Sequence, residues 1–233
     1  MSTRQAAVHT IAVRLIDVSD GNNLRVAVDG RTASGKTTFA DELAEELESL
    51  GHAAIRASVD GFHRPRAERY RRGRMSAEGY YRDARDNEAI VSLLLRPLDR
   101  GGDRLIRTQS FDLTRDEPLN EEPRLADENA ILIVDGTFLQ RPELAGHWDV
   151  VVFIETDPVV CLQRCVQRDA ERLGGEAQAR MSYENRYQPA YELYETEAHP
   201  ARTADILVGN DDPARPLISV PAGSRIGPVT APM

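Results

Sequence analysis

The sequence predicts an α/β fold in which a mainly parallel sheet carries helices on both faces. Three observations predict it: short apolar runs recur along the chain, helical patterns separate most of them, and the first run leads through glycines into a helix. Residues 4–18 place Val8, Ile11, Ala12, Leu15 and Ile16 at helical spacing, and an amphipathic entry helix is expected there, closed by the turn residues Asp20-Gly21-Asn22-Asn23. Leu24 to Val28 is short and β-branched and reads as the first strand. A helix is expected over 36–50, with Gly51 as its stop. Residues 53–59, 130–134, 150–154 and 206–208 are the further strands, and 87–95 and 158–172 are helical patterns between them. Residues 104–113 are expected to supply a β-hairpin strand beside the substrate site, and 174–179 a flexible interruption between helices. The segment after Pro213 is rich in Pro and Gly and is expected to be irregular. The organisation is therefore one domain over 1–212, with a mobile lid at about 168–186, followed by a tail over 213–233.

A chain of 233 residues that is 41% hydrophobic and 29% charged is long enough to bury one substantial core. No apolar run approaches the roughly 18 residues of a membrane span, and no basic segment followed by a hydrophobic stretch opens the chain. A cytoplasmic protein with no membrane partner is expected. The formal charge of -9 repels a polyphosphate backbone, which argues against a nucleic-acid partner. Cys161 and Cys165 lie four apart in a helical pattern without metal-ligand company and read as reduced core residues. Self-association into a homo-oligomer stays open.

Of 29 basic residues, Lys36 is the one lysine and the other 28 are arginines. That lysine falls in the strongest motif of the chain, Gly30-Arg31-Thr32-Ala33-Ser34-Gly35-Lys36-Thr37, which lies between a predicted strand and a predicted helix. The glycines permit torsions that turn successive N–H groups inward, making a concave anion site at a helix N-terminus. Residues 30–37, and Thr38 beside them, are the candidate ATP contacts, with Lys36 reaching the β- and γ-phosphates as a catalytic cation and the Thr37 hydroxyl ligating Mg²⁺. Where arginine is the default cation, a compact ammonium at this one position favours a phosphate ligand over an empty turn. The fold expectation sharpens to a three-layer sandwich of the P-loop NTPase type with an arginine-bearing lid.

Open parallel sheets bind ligands beyond the carboxyl ends of their strands, so acids that directly follow apolar runs are the first catalytic candidates. Asp60, in Val59-Asp60-Gly61-Phe62-His63, is placed to take a proton from an attacking hydroxyl. Asp135, ending Ile131-Leu132-Ile133-Val134, is placed to orient Mg²⁺ directly or through water. For each the alternative is a carboxylate that caps the next turn. Asp29 could equally stabilise the loop or sit near the metal, and His63 could be a hydrogen-bonded loop histidine. Arg164, Arg168 and Arg172 recur every four residues and share a helix face, where like charges cost about 0.2–0.5 kcal/mol per pair unless an anion joins them. Arg164 has no acidic neighbour at either helical spacing, so a polyphosphate partner is expected to supply the missing charge, against the alternative of a solvated face. Arg64, Arg66, Arg69, Arg71, Arg72 and Arg74 form a second cluster, which either draws an anionic substrate towards Asp60 or is simply solvated.

At this point the residues resemble the uridine kinase family, within the larger group that includes phosphoribulokinase and the P-loop pantothenate kinases. The similarity runs from about Leu24 to Asn210 and includes the phosphate loop, Asp60-Gly61-Phe62, Tyr80-Tyr81-Arg82-Asp83, Phe111-Asp112-Leu113, Asp135-Gly136-Thr137-Phe138, Arg168-Asp169-Ala170-Glu171-Arg172, and Arg186-Tyr187 leading to Pro200 and Ala204-Asp205-Ile206-Leu207. The resemblance implies an ATP- and Mg²⁺-dependent transfer of phosphate to a hydroxyl of a small molecule, a uridine or cytidine in the first instance. It makes Asp60 the catalytic base, Asp135 the acid that positions Mg²⁺, Asp83 the acid that grips sugar hydroxyls, and Arg168 and Arg172 the lid arginines on the ATP phosphates. Phe62, His63, Tyr81, Arg82, Phe111 and Arg186 join Asp60 and Asp83 as candidate substrate contacts.

Two departures bear on the acceptor. Where uridine kinases usually carry Asn-Phe-Asp-His-Pro, this chain reads Tyr81-Arg82-Asp83-Ala84-Arg85, and the histidine that the family carries soon after the motif matched by Phe111-Asp112-Leu113 is missing. Arg82 and the arginines of 64–74 leave room for a sugar, a phosphorylated sugar or a carboxylated metabolite. A different class of function, a nucleotide-dependent switch that phosphorylates nothing, fits less well, because the guanine-reading Asn-Lys-x-Asp pattern is absent. A nucleoside monophosphate kinase shares the loop and lid, but a phosphate acceptor needs no carboxylate base.

Overall fold

A computed structural model of the chain describes residues 2–227. Six strands form one sheet: β1 (Leu24–Gly30), β2 (Ala54–Ser58), β3 (Ile131–Gly136), β4 (Val150–Glu155), β5 (Ile206–Gly209) and β6 (Leu217–Ser219), in the order β6-β5-β4-β1-β3-β2. Every neighbouring pair is parallel except β5 with β6. Side chains alternate across a strand, so Val26, Val28, Ile131 and Ile133 face one side while Ala27, Leu132 and Val134 face the other. Both sides are covered, which is why these strands are apolar without interruption.

On the first side, α1 (Thr3–Ser19) and α2 (Lys36–Ser49) pack Ile11, Leu15, Phe39, Leu43 and Leu47 onto the sheet. A capping box between Ser2 and Gln5 starts α1. On the second side Ile90, Leu94, Phe138 and Tyr194 fill the corresponding core, together with Tyr81 from α3 (Ala77–Arg82). Each such side chain, fully buried, contributes about 1.5–3 kcal/mol. The result is the three-layer sandwich with a mainly parallel sheet that the sequence predicts. Among the described residues no helix is long and apolar enough to cross a membrane.

The structure departs from the expected elements in four places. The helical pattern at 87–95 begins as α-helix over Asn87–Ala89 and widens to π-helix over Ile90–Leu95. Residues 104–113 do not run as one strand but split into two-residue ladders, Leu105–Ile106 with Arg124–Leu125 and Phe111–Asp112 with Glu117–Pro118. The cause is that the Arg107 and Ser110 N–H groups are spent on the carbonyls of Leu93 and Gly61. The interruption expected at 174–179 shrinks to Gly174 and Gly175, both at positive φ, between α4 (Pro158–Leu173) and α5 (Glu176–Ser182). The tail is not wholly irregular, because the free edge of β5 accepts β6, and Ile226 and Arg225 dock behind it, Arg225 on the buried Asp205 at 2.5 Å. Residues 228–233 of the expected tail lie outside the described residues.

Candidate active site

Beyond the carboxyl ends of β1, β2 and β3 opens a cleft of about 450 Å³. One wall is the loop that joins β1 to α2, from which Thr32, Ala33, Lys36 and Thr37 line the space. The spacing of its glycines has a steric cause. A Cβ on Gly30 would lie 2.5 Å from the Ile154 carbonyl oxygen, and one on Gly35, at φ 96°, 2.5 Å from Asn210 Nδ2. From behind, Asn210 Nδ2 donates to the Ser34 carbonyl at 2.7 Å and the Thr156 hydroxyl to the same oxygen at 3.1 Å. Asp29 resolves into loop support: fully buried, it accepts from Gly30 N at 2.7 Å, from Gln140 Nε2 at 3.1 Å and from the Tyr194 hydroxyl, and burial holds its pKa above the ordinary carboxylate value.

Lys36 is buried in the loop, its ammonium donating to the Arg31 carbonyl. Burial pulls its pKa down, against the nearby charges of Asp29, Asp135 and Asp60. Arg31 turns away from the cleft, with its guanidinium 3.8 Å from the Tyr191 ring centre and Nη1 on Gln188 at 3.0 Å. Ser34 is buried in the loop and Thr38 lies on the outer face of α2, so neither side chain lines the cleft, and Gly30 and Gly35 shape the loop without lining it.

At the floor, the Thr37 hydroxyl donates to Asp135 Oδ2 at 2.6 Å, while Arg56 Nη2 holds Asp135 Oδ1 at 3.0 Å. Hydroxyl, carboxylate and the phosphate oxygens of a ligand are the hard donors that Mg²⁺ takes, so this pair fits that ion. Gly136 lets the end of β3 close against the turn that carries Asp60, since a Cβ there would sit 2.3 Å from Val59 Cγ2.

Asp60 lies open to the cleft at the end of β2. Arg85 Nη2 grips its Oδ1 at 2.5 Å, and that guanidinium holds the Asp60 carboxyl below the ordinary carboxylate range against the partial desolvation of the cleft. Arg85 also donates to His63 Nε2 at 2.7 Å, which leaves the ring proton on Nδ1 to donate to the Asp60 carbonyl at 2.9 Å. Burial and then Arg85 bring His63 down to about 4, so at neutral pH it is an uncharged brace.

Arg168 and Arg172 reach the cleft from the end of α4. Both are fastened to buried Asp169, Arg168 Nη2 at 2.8 Å and Arg172 Nη2 at 3.2 Å. Arg164 is corrected: its missing charge partner is not a ligand, because Nη2 donates to the carbonyls of Asn210 at 3.0 Å and Asp211 at 2.8 Å. Of the second arginine cluster only Arg69 lines the cleft.

The expected substrate contacts divide. Asp60, His63 and Arg186 line the cleft, whereas Phe62, Tyr81, Arg82, Asp83 and Phe111 do not. Asp83 is buried outside the cleft lining, with one oxygen held by Arg71 at 2.5 Å and the other by Arg72 at 2.8 Å. Tyr81 packs into the core and donates to Glu197 at 2.8 Å, and Arg82 pairs outward with Glu197 and Glu78. Phe62 and Phe111 are buried. Their places on the wall belong to Tyr70, Tyr80, Arg85 and Tyr187; the sequence reading passed over Tyr70 and quoted the other three only within motifs, without nominating them as contacts. One available signal was helical phase: in α3 residue 81 follows the core, which leaves Tyr80 on an adjoining face.

The geometry agrees with what the chain is similar to. Uridine-cytidine kinase B of Dictyostelium discoideum is 32% identical over 186 residues, 78% of this chain and 73% of that protein. The uridine kinase of Ligilactobacillus salivarius (strain UCC118) is 26% identical over 184 residues, 78% of this chain and 83% of its own. A solved structure described as a possible uridine kinase from Bacillus stearothermophilus superposes with a TM-score of 0.62 at 25% identity, over 84% of this chain and 98% of that one. With residues 26–208 matching the model of the phosphoribulokinase / uridine kinase family, the chain belongs to that family and is a P-loop kinase of the uridine kinase kind.

Proposed function

We propose that the chain transfers the γ-phosphoryl group of ATP to a hydroxyl of a small metabolite, as one domain whose segment 168–186 acts as a lid. The observation that carries this reading is that Lys36, Thr37, Asp135 and Asp60 line one cleft. The loop backbone and Lys36 would hold the phosphates, and the lid arginines would answer the charge that spreads over the transferred group. Thr37 and Asp135 would hold Mg²⁺, which when bound neutralises charge on the phosphate oxygens.

Asp60 is the general base in this reading. Arg85 occupies Oδ1, and among the described residues nothing hydrogen-bonds Oδ2, which is left to take the hydroxyl proton. As that proton leaves, the acceptor oxygen bonds to the γ-phosphorus, the bond from phosphorus to the bridging oxygen breaks, and ADP departs with the electron pair. Asp60 is held ionised by Arg85, so it is ready to accept at neutral pH.

The names of the relatives put a uridine or cytidine first among acceptors. A second reading, a sugar phosphate or a hydroxy acid, is favoured by one observation: Asp83, the carboxylate expected to hold ribose hydroxyls, is clamped behind the wall. Incubating the chain with MgATP and a panel of nucleosides, sugars, sugar phosphates and hydroxy acids tests the proposal. ADP release that depends on an acceptor, with one phosphoryl group added to it, is expected. ADP release indifferent to every acceptor would point to the nucleotide switch instead.

A further inference from the structure

Six cationic side chains line the cleft: Lys36, Arg69, Arg85, Arg168, Arg172 and Arg186. Each of the first five has an anionic neighbour or a direct ion pair. Lys36 sits near Asp29 and Asp135, Arg69 bonds Asp116 at 2.7 Å, Arg85 bonds Asp60, and Arg168 and Arg172 share Asp169. Arg186 differs. Among the described residues its guanidinium makes no ion pair and no hydrogen bond; its Nε is buried without a partner, as are those of Arg69 and Arg85, but those two spend their Nη groups on carboxylates and Arg186 does not. Three rings hold it instead: its centre lies 4.7 Å from that of Tyr80, 5.5 Å from Tyr187 and 5.6 Å from Tyr70.

Cation–π contacts fix a guanidinium while leaving its N–H fork unspent, and a fork so placed matches the two oxygens of a carboxylate or phosphate. Arg186 is half-buried and lines the cleft, so its unspent Nη groups are presented to an anion that enters from outside the protein. The box borders the proposed base, because Arg85, which grips Asp60, lies 5.8 Å from the Tyr80 ring centre, while Tyr187 packs on the cluster that Ala33 of the phosphate loop also joins. Arg69 backs the Tyr70 ring, its guanidinium 5.1 Å from the ring centre. Burial alone would raise the Tyr70 hydroxyl, yet Arg69 and Arg186 draw it below its ordinary value, as a site of positive potential does.

We propose that Arg186, seated among Tyr70, Tyr80 and Tyr187 and supported by Arg69, binds a carboxylate or phosphate group of the acceptor, which is therefore a hydroxyl compound already anionic before it is phosphorylated. This rests on the phosphotransferase reading above. A neutral nucleoside would leave the box unfilled. Arg168 and Arg172, at the other end of the lid segment, remain for the nucleotide, so the two anionic ligands are served by different cations.

The test separates the subsite from the reaction. The full chain and its Arg186→Gln and Arg186→Lys variants are saturated with Mg²⁺ and β,γ-imido-ATP, which fills the phosphate loop. Inorganic phosphate, glycolate and, as the neutral match, ethylene glycol are then titrated by calorimetry. Phosphate or glycolate is expected to bind the wild type, with Kd raised about tenfold or more in Arg186→Gln and less in Arg186→Lys, and ethylene glycol to give no binding. Whichever of the two anions binds tighter names the group. Equal binding by all three proteins, or none by the wild type once the loop is filled, overturns the proposal. In a second arm, ADP release is compared between sugars and their monophosphates. A preference for the anionic partner that Arg186→Gln erases supports the subsite, and uridine turned over equally by wild type and Arg186→Gln overturns it. Arg186-dependent anion binding without acceptor-dependent ADP release would leave the subsite standing and remove the phosphotransferase reading.

Discussion

The two walls of the cleft are built in opposite ways. The phosphate-loop wall is a contiguous run, 30–37, whose shape follows from two glycines and from carbonyls pinned by Asn210 and Thr156. The acceptor wall is assembled from distant pieces: Asp60 is held by Arg85, Tyr80 meets Tyr187, and Arg186 reaches Tyr70 across more than a hundred residues. A wall made of one local motif has little freedom to vary, because every residue answers to the same backbone path. One made of long-range pairs can change a side chain without disturbing the loop. On the function proposed, the difference teaches where specificity would reside: nucleotide handling in a local motif and acceptor choice in tertiary contacts.

Breaking the acceptor wall alone sharpens that contrast, and Arg85 is the strongest lever. Arg85→Met removes the guanidinium that depresses the Asp60 pKa. The base works when ionised, so wild-type kcat/KM is expected to persist as pH falls through the ordinary carboxylate range and to fail only below it. In the variant the Asp60 pKa rises, the acid limb moves to higher pH, and activity in mildly acidic buffer drops by about tenfold for each unit of movement. Nucleotide affinity is expected to hold. Superimposable acid limbs would show that Arg85 does not tune the base.

Asp83 marks the smaller effect and separates support from recognition. Arg71 and Arg72 outweigh burial and keep its carboxyl below the ordinary range, so its contribution to stability is present above the unfolded carboxylate pKa and is lost as pH falls through the lower folded value. Because both arginines are partly exposed, Asp83→Asn is expected to cost about 1 kcal/mol, seen as a lowered denaturation midpoint near neutral pH. The KM for the acceptor should barely move. A large rise in that KM with stability unchanged would return Asp83 to the substrate.

Much of the fold was legible in the sequence because apolar period and glycine position are local properties. The five parallel strands, α1, α2 and α4 all announce themselves that way. What escaped was set by partners far along the chain. The run at 104–113 broke because its N–H groups found Leu93 and Gly61, and β6 formed because β5 left an edge open. In the cleft, Lys36, Thr37, Asp60 and Asp135 could be nominated from strand ends and one motif. Asp83 could not be rejected without seeing Arg71 and Arg72 fold back over it, nor Arg164 without the carbonyls of Asn210 and Asp211. Arg85 and Tyr80 stood inside quoted motifs without any local sign of a place in the cleft, since that place comes from contacts with His63, Asp60 and Arg186.

The central claim is that one carboxylate at the end of β2 deprotonates the hydroxyl that attacks the terminal phosphate. Phosphoryl transfer in Asp60→Asn, measured at saturating MgATP with the best acceptor of the panel while nucleotide binding is followed by calorimetry, tests it most directly. Turnover lower by about 10²–10⁴ with ATP affinity retained is the predicted result. Turnover equal to that of the wild type would contradict it.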